Sequence, residues 1–158
     1  MHNQRIYNLN IAIERLKNYC ALQDRCQSEV LQKMKNWGLQ KASQEHILEM
    51  LIIQQYIDEE RFSISFCRGK FRIKKWGKNK IKHALEKKHI SHICIKKGLD
   101  EIDEAEYIKI IESLVEKQNM KITDKNLFTR KNKIARFLIQ KGFENQLVWE
   151  KLKILDDK

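Results

Sequence analysis

The stretch SEVLQKMKNWGL at residues 28–39 returns as NKIKHALEKKHI at 79–90 and as NKIARFLIQKGF at 132–143, with no insertion in any copy. Val30, Ile81 and Ile134 share the third position, Met34, Leu85 and Leu138 the seventh, and Leu39, Ile90 and Phe143 the last. Apolar side chains four residues apart share one face of a helix. Each copy therefore reads as a helix with a single apolar stripe, closed by an apolar residue just past its end. The copies begin 51 and 53 residues apart, which leaves room for about three short helices per unit. Tyr56 and Tyr107 each lie seventeen residues beyond their copy's closing residue, so the likeness extends outside the core dozen. The pattern predicts an all-α fold: an elongated tandem array of three three-helix, helix-turn-helix-like repeats, dividing at 1–55, 56–103 and 104–158.

Composition supports helices throughout. There is no proline, 42% of the residues are apolar, and only Gly38, Gly69, Gly77, Gly98 and Gly142 interrupt the helical run. Met1-His2-Asn3-Gln4-Arg5 leads into no apolar signal segment, and the uncharged apolar stretch Met50–Ile53 is far too short to span a bilayer. The expectation is a soluble, cytoplasmic monomer. Cys20, Cys26, Cys67 and Cys94 form no CxxC pair and fall in apolar-periodic segments, as small buried hydrophobes in a reducing compartment would. His89, His92 and Cys94 match no zinc spacing, so no metal and no cofactor is expected.

Charge is unevenly spread. The net +11 divides into +2 over residues 1–55, +9 over 56–99 and 0 over 100–158. Arg68, Lys70, Arg72, Lys74, Lys75, Lys78, Lys80 and Lys82 follow one another without an acid. Such a field calls for a polyanionic or acidic partner. Helical phase puts Phe62, Phe66, Gly69 and Ile73 on one stripe, with Arg68, Arg72 and Lys75 opposite and Phe71 beside them. Asp58 is placed to cap this helix, with Glu59 and Glu60 at its positive end. Gly77 ends or bends it, and Asn79 is placed to cap the next, whose inward face is Ile81, Ala84 and Leu85 with the stem of Lys88.

In the first unit Ile11, Leu16 and Tyr19 open a helix, Ser28 is placed to cap a second, and Ile47, Leu48 and Leu51 mark a third. In the last, Tyr107, Ile111 and Val115, then Phe128 and Ile134 to Leu138, then Val148 and Leu152 form the series. Lys33, Ala84 and Phe137 occupy one inward position of the three copies. After Gly98 the sign reverses, from Lys96-Lys97 to Asp100, Glu101, Asp103, Glu104 and Glu106, which marks a unit boundary and offers the basic unit an acidic neighbour.

No catalytic constellation assembles: there is no phosphate-cradling glycine loop, GxSxG or HExxH. Asp58, Glu59 and Glu60 diverge by about 100° per residue and read as a helix start rather than metal ligands. The expectation is a protein that is not an enzyme. Trp37 and Trp149 read as packing residues. Trp76, set among Lys74, Lys75 and Lys78, is either packed between helices or a platform for a base or a partner protein, and Phe71 shares that ambiguity.

Three segments carry a resemblance: Tyr56-Ile57-Asp58-Glu59-Glu60-Arg61-Phe62, Trp76-Gly77-Lys78-Asn79-Lys80-Ile81 and Leu85-Glu86-Lys87-Lys88-His89-Ile90. In order and spacing they resemble the bacterial RecX family of recombination regulators. The likeness spans about Asn8 to Leu152 and is most specific in the middle unit, where Tyr56, Asp58, Arg61, Phe62, Gly77, Ile81, Leu85 and Ile90 are expected to be mainly structural. The family usually has glycine where His89 stands, so a differently shaped helix end is expected there. The resemblance implies a regulator of homologous recombination, DNA repair and the SOS response that binds RecA recombinase in the groove of its DNA filament. Such a protein restrains filament growth, ATP hydrolysis and strand exchange. Arg68, Phe71, Arg72, Lys74, Lys75, Trp76, Lys78, Lys80 and Lys82 are the expected partner- or DNA-binding residues. The alternative is a module that binds single- or double-stranded DNA directly through the same basic face.

Overall fold

The computed structural model describes residues 5–157. Nine α-helices and no strand occur among them: α1 (Leu9–Leu22), α2 (Gln27–Asn36), α3 (Lys41–Ile53), α4 (Glu59–Arg72), α5 (Lys78–Lys87), α6 (His92–Asp100), α7 (Glu104–Lys121), α8 (Leu127–Gln140) and α9 (Asn145–Leu152). A 3-10 turn over Lys153–Asp157 follows. Side-chain caps start five of the helices, at Asn8, Asp58, Ser91, Asp103 and Asn126, each contributing about 1 kcal/mol. Asp58 takes its expected place, accepting from the Arg61 amide at 2.8 Å.

Two expected caps lie elsewhere. The N-cap of α2 is Cys26, whose amide donates to Glu29 Oε1 at 3.2 Å, and Ser28 sits within the first turn. Asn79 likewise lies inside α5, behind an N-cap at Gly77.

The repeated apolar positions form the seams of the three units. Val30, Met34, Ile81, Leu85, Ile134 and Leu138 are fully buried, each stabilising the fold by about 1.5–3 kcal/mol. Lys33, Ala84 and Phe137 are only half-buried, because each precedes a seam residue and so stands about 100° round the helix from it. The helix ends superimpose in chemistry. Gly38, His89 and Gly142 have φ of 77°, 61° and 99°. Their amides reach the carbonyls of Lys35, Glu86 and Ile139 at 3.0 Å, and the following amides reach those of Met34, Leu85 and Leu138 at 3.1–3.2 Å. The altered turn expected at His89 is therefore not found. The histidine takes the left-handed conformation that glycine takes elsewhere, at a cost of about 1–2 kcal/mol.

Apolar side chains gather into two cores, not three. Leu16, Val30, Met34, Ile47 and Leu51 of α1–α3, with Ile57 from the connection into α4, form one. The other runs unbroken through α4–α9, from Phe62 and Cys67 through Leu85 and Tyr107 to Phe143 and Leu152, and takes in Cys26 from the start of α2. Ile11 and Phe128, expected among the apolar series, are exposed. In the second core α6 crosses α4 at Gly98, where a Cβ would lie 2.4 Å from Ser63 Oγ. This close crossing centres the buried face of α4 on Phe62, Ser63, Cys67 and Phe71, roughly a quarter turn from the expected stripe. Ile73, beyond the helix end, is consequently 79% exposed, whereas Phe71 is 3% exposed and packs on Tyr107 with ring centroids 5.7 Å apart.

The middle helices of successive units meet end to end. Gly77 N–H donates to the Lys141 carbonyl at 2.8 Å, Asn79 N–H to that of Gly142 at 2.9 Å, and Lys78 N–H to the Tyr107 hydroxyl at 3.0 Å. The Tyr107 hydroxyl in turn donates to Glu144. Amides at the start of α5 that lack a local cap are thus satisfied by the third unit, and the positive end of α5 faces the negative end of α8. At the other junction Ser28 Oγ donates to the Lys88 carbonyl at 3.1 Å. Asp24 accepts there from Arg61 Nε at 2.8 Å and from Ser65 Oγ at 2.6 Å. That junction is looser, with a groove of about 330 Å³ lined by Ser28, Leu31, Glu59, Lys88 and His89. Among the described residues no hydrogen bond or ion pair joins the first unit to the third, so the array is open.

Candidate interaction surface

The eight consecutive cations do not share one face. Within α4 the helical phase puts Arg68 and Arg72 on one side and Lys70 on the opposite side. Arg68 and Arg72 stand over Glu101 and Asp103 of the connection into α7 and Glu106 of its first turn, around a small cleft floored by Phe71 and Ile102. Arg72 Nη2 lies 3.9 Å from Glu106 Oε2, both side chains being more than half exposed. The acidic stretch thus meets the basic unit, with a pair worth about 0–1 kcal/mol. Lys75, at φ 56°, is half-buried near Lys109. Lys82 is exposed on α5.

Two expected binding residues are committed to the fold instead. Phe71 is a core residue, showing only its edge at the floor of the small cleft. Lys78 is held at the junction: its Nζ is 3.2 Å from Glu104 Oε2 and 4.7 Å from the Tyr107 ring centroid, and its amide donates to the Tyr107 hydroxyl. Burial, and then the hydrogen bond to Glu144, push the Tyr107 phenol well above its ordinary pKa. It stays a neutral donor at any ordinary pH.

On the other side of α4 the cations alternate with rings. Trp76 packs against the shared core and is half-buried. Lys70 Nζ lies 4.8 Å, and Lys80 Nζ 4.5 Å, from its ring centroid. Lys70 also stands 5.4 Å from the centroid of Phe66, which Lys88 approaches at 6.0 Å. From the end of α8, Lys141 Nζ donates to the Lys74 carbonyl at 3.1 Å. Burial, and then the charge of Lys80, lower the pKa of Lys141. Among the described residues none of Lys70, Lys74, Lys80, Lys88 and Lys141 has a carboxylate within 4.0 Å, whereas Arg72 and Lys78 do.

Phe66, Lys88 and Lys141 were not legible as surface residues from the charge run alone. A signal did exist in the repeat: Lys88 and Lys141 occupy the same position of the second and third copies, where the first copy has Trp37. The other motif residues hold the scaffold. Phe62, Ile81, Leu85 and Ile90 are buried. Tyr56 packs on the first core under Lys17 Nζ at 5.4 Å, and Arg61 ties Asp24 to the carbonyls of Gln55 and Tyr56.

Comparison with known proteins gives a consistent set of relatives. The family models for the RecX second and third three-helix domains match residues 58–99 and 104–152. Regulatory protein RecX of Streptococcus uberis is 30% identical over 145 residues, covering 90% of this chain and 53% of that protein. Its counterpart from Clostridium tetani is 29% identical over 132 residues, covering 82% and 58%, so the chain spans little more than half the length of these two relatives. That of Prosthecochloris aestuarii is 24% identical over 141 residues and is matched over 91% of its length. The crystal structure of RecX from Lactobacillus salivarius shares the fold with a TM-score of 0.83 at 22% identity, covering 95% of this chain and 97% of that one.

Proposed function

Because the chain belongs to the RecX family of regulatory proteins, we propose that it regulates recombination without catalysis of its own. In this reading it binds RecA recombinase and its DNA filament and restrains filament growth, ATP hydrolysis and strand exchange. One observation carries the reading to this chain. Of the eight consecutive cations of the middle unit, only Arg72 and Lys78 have carboxylate partners among the described residues, and Arg68, Lys74, Lys80 and Lys82 are exposed. Unneutralised cations on more than one face of the middle unit suit a long contact with an acidic protein surface, and accelerate encounter with it.

The test is the single-strand-dependent ATPase of RecA titrated with the purified protein. Inhibition is expected to saturate with protein and to weaken as salt rises. A folded Arg68→Glu/Lys80→Glu/Lys82→Glu variant should need at least about tenfold more protein for the same inhibition, the equivalent of roughly 1.4 kcal/mol. Unchanged inhibition by that variant refutes the assigned surface, and absence of any RecA effect refutes the function.

A further inference from the structure

On the arginine side of α4, beyond the Arg72–Glu106 pair, the small cleft gives way to a wider hollow of about 330 Å³ between the end of α4 and α7. Its floor is apolar, made by the edge of Phe71 and by Ile110, which is half-buried against the larger core. The floor is also held in place. Phe71 packs on Tyr107, whose hydroxyl is fixed between the Lys78 amide and Glu144, so the hollow is preformed and little ordering is left for binding. Two lysines line it from opposite walls, Lys75 just after α4 and Lys109 on α7. Among the described residues neither has a carboxylate within 4.0 Å. Lys75 moreover keeps its side chain there on a left-handed backbone of φ 56°, which glycine adopts without strain.

Charge along the cleft narrows the occupant. Glu101 and Asp103 outnumber Arg68 at one end, Arg72 and Glu106 offset each other in the middle, and Lys75 and Lys109 leave the far end positive. A long polyanion laid along it would meet three carboxylates in turn, which opposes binding. A short segment that brings negative charge to the far end alone meets none of that opposition. The apolar floor asks for one large side chain beside that charge, the arrangement of an anchor residue in a pocket with a charged rim. We propose that the hollow formed by Phe71, Ile110, Lys75 and Lys109 docks a peptide segment of a partner protein that carries a large apolar side chain next to carboxylates. The apolar side chain covers Phe71 and Ile110, and the carboxylates take the two ammonium groups. This docking site goes beyond the RecA reading, which is tested at Arg68, Lys80 and Lys82, and either can fail alone.

The experiment titrates the full chain, without RecA, into a fluorescein-labelled peptide of sequence Gly-Ser-Leu-Phe-Glu-Glu-Ser-Gly and follows anisotropy and the amide chemical shifts of the protein. Saturable binding is expected, with shifts centred on residues 71–75 and 106–110. Serine in place of the peptide's leucine and phenylalanine should weaken binding at least about tenfold, since the buried apolar area is lost. A folded Lys75→Gln/Lys109→Gln variant should bind the original peptide at least about fourfold more weakly, about twofold for each exposed ion pair removed. Lys109→Gln alone, on the exposed face of α7, should give about half that effect on a logarithmic scale and serves if the double variant does not fold. Lys70→Gln/Lys80→Gln, on the other side of α4, should change binding by less than about 1.5-fold, because intervening solvent screens those charges. Lys109→Glu should bind a peptide with lysine for both glutamates better than the unaltered chain does, a gain that a merely structural role for Lys109 would not produce. No saturable binding by the unaltered chain overturns the proposal. So does equal binding of the serine peptide, equal loss in the two double variants, or a bound peptide that leaves residues 71–75 and 106–110 unshifted. RecA ATPase inhibition measured on the same variants reads the regulatory contact separately.

Discussion

Gly142→Ala should damage this chain in two ways at once, through its own backbone and through the helix it abuts. At φ 99° an L-residue is strained, at a cost of about 1–2 kcal/mol. The new Cβ would lie 2.3 Å from Lys80 Cβ and 2.5 Å from Lys80 N, one of them a backbone atom that cannot swing away. Relief means drawing the end of α8 off the start of α5, which lengthens the Gly77–Lys141 and Asn79–Gly142 hydrogen bonds, now 2.8 and 2.9 Å. Overpacking of this kind costs about 1–3 kcal/mol, and a buried amide left unpaired about 1–3 more. These terms overlap, so the expected loss is about 3–5 kcal/mol. Gly38→Ala is the matched control: it sits at φ 77° in the same helix end, but the nearest atom to its Cβ is Arg5 Cγ at 3.6 Å, so it should lose only the backbone term of about 1–2 kcal/mol. His89→Gly should gain up to about 1 kcal/mol by relieving the same strain, less the extra chain entropy of glycine. Equilibrium urea unfolding followed by helical circular dichroism measures all three. Gly142→Ala within about 0.5 kcal/mol of Gly38→Ala would refute the close junction, since both substitutions share every term except the clash with Lys80.

Three further outcomes follow from the packing. Leu51→Ala should cost about 2–5 kcal/mol and speed amide exchange in α1–α3 alone, while Leu85→Ala should speed it throughout α4–α9; equal acceleration of α8 by Leu51→Ala would show a single core. Tyr107→Phe strands the Lys78 amide and should destabilise by about 1–3 kcal/mol in thermal or urea unfolding, and a neutral effect would mean that water replaces the hydroxyl. Burial raises the Asp24 pKa, but its hydrogen bonds from Ser65 and Arg61 outweigh this and leave it below the ordinary carboxylate value. Its contribution is therefore complete above about pH 4 and is lost as pH falls through the lowered value. An acid titration of stability should accordingly be flatter for Asp24→Asn, and an unchanged acid limb would refute the role of Asp24 at the first junction.

The architecture was legible because the repeat records it directly. Val30, Ile81 and Ile134, with their partners four residues on, are fully buried, and a stripe that recurs at helical spacing marks the face a helix turns inward. The phase of α4 was not legible, since it is set by Ser63 and Cys67 meeting Gly98 on another helix. Small residues carry little weight in a hydrophobic pattern, so Phe66 and Ile73 drew the expected stripe toward themselves. The same blindness displaced the caps. Asn79 has the side chain for an N-cap, but the amides of Gly77, Lys78 and Asn79 bond to the third unit instead. The charge excess was visible in composition, yet its division into an arginine side and a lysine side needed the acids of α7 in place. His89 shows the converse: the sequence marked it as a departure, and the backbone absorbed it because the groove beside Ser28 leaves room for its side chain.

The tight junction and the line of lysines beside Phe66 and Trp76 are one construction. Lys88 and Lys141 are the same repeat position, and their separation along the surface is set by how the third unit docks on the second. That docking is fixed by backbone atoms: a Cβ at Gly77 would lie 2.2 Å from Gly142 C, so no side chain intervenes to let the units slide. With a continuous apolar core beneath it, the α4–α9 body holds Lys70, Lys80, Lys88 and Lys141 with no carboxylate within 4.0 Å of them among the described residues. The first unit has Trp37 at the corresponding position and joins through polar contacts across a groove, with Cys26 reaching into the larger core, so it does not extend the line of lysines. A repeat that began as three equivalent helical scaffolds thus yields a rigid pair carrying the charge and a separately cored neighbour, and the difference traces to what sits beside each helix end: Lys80 backbone against Gly142, open space beside His89.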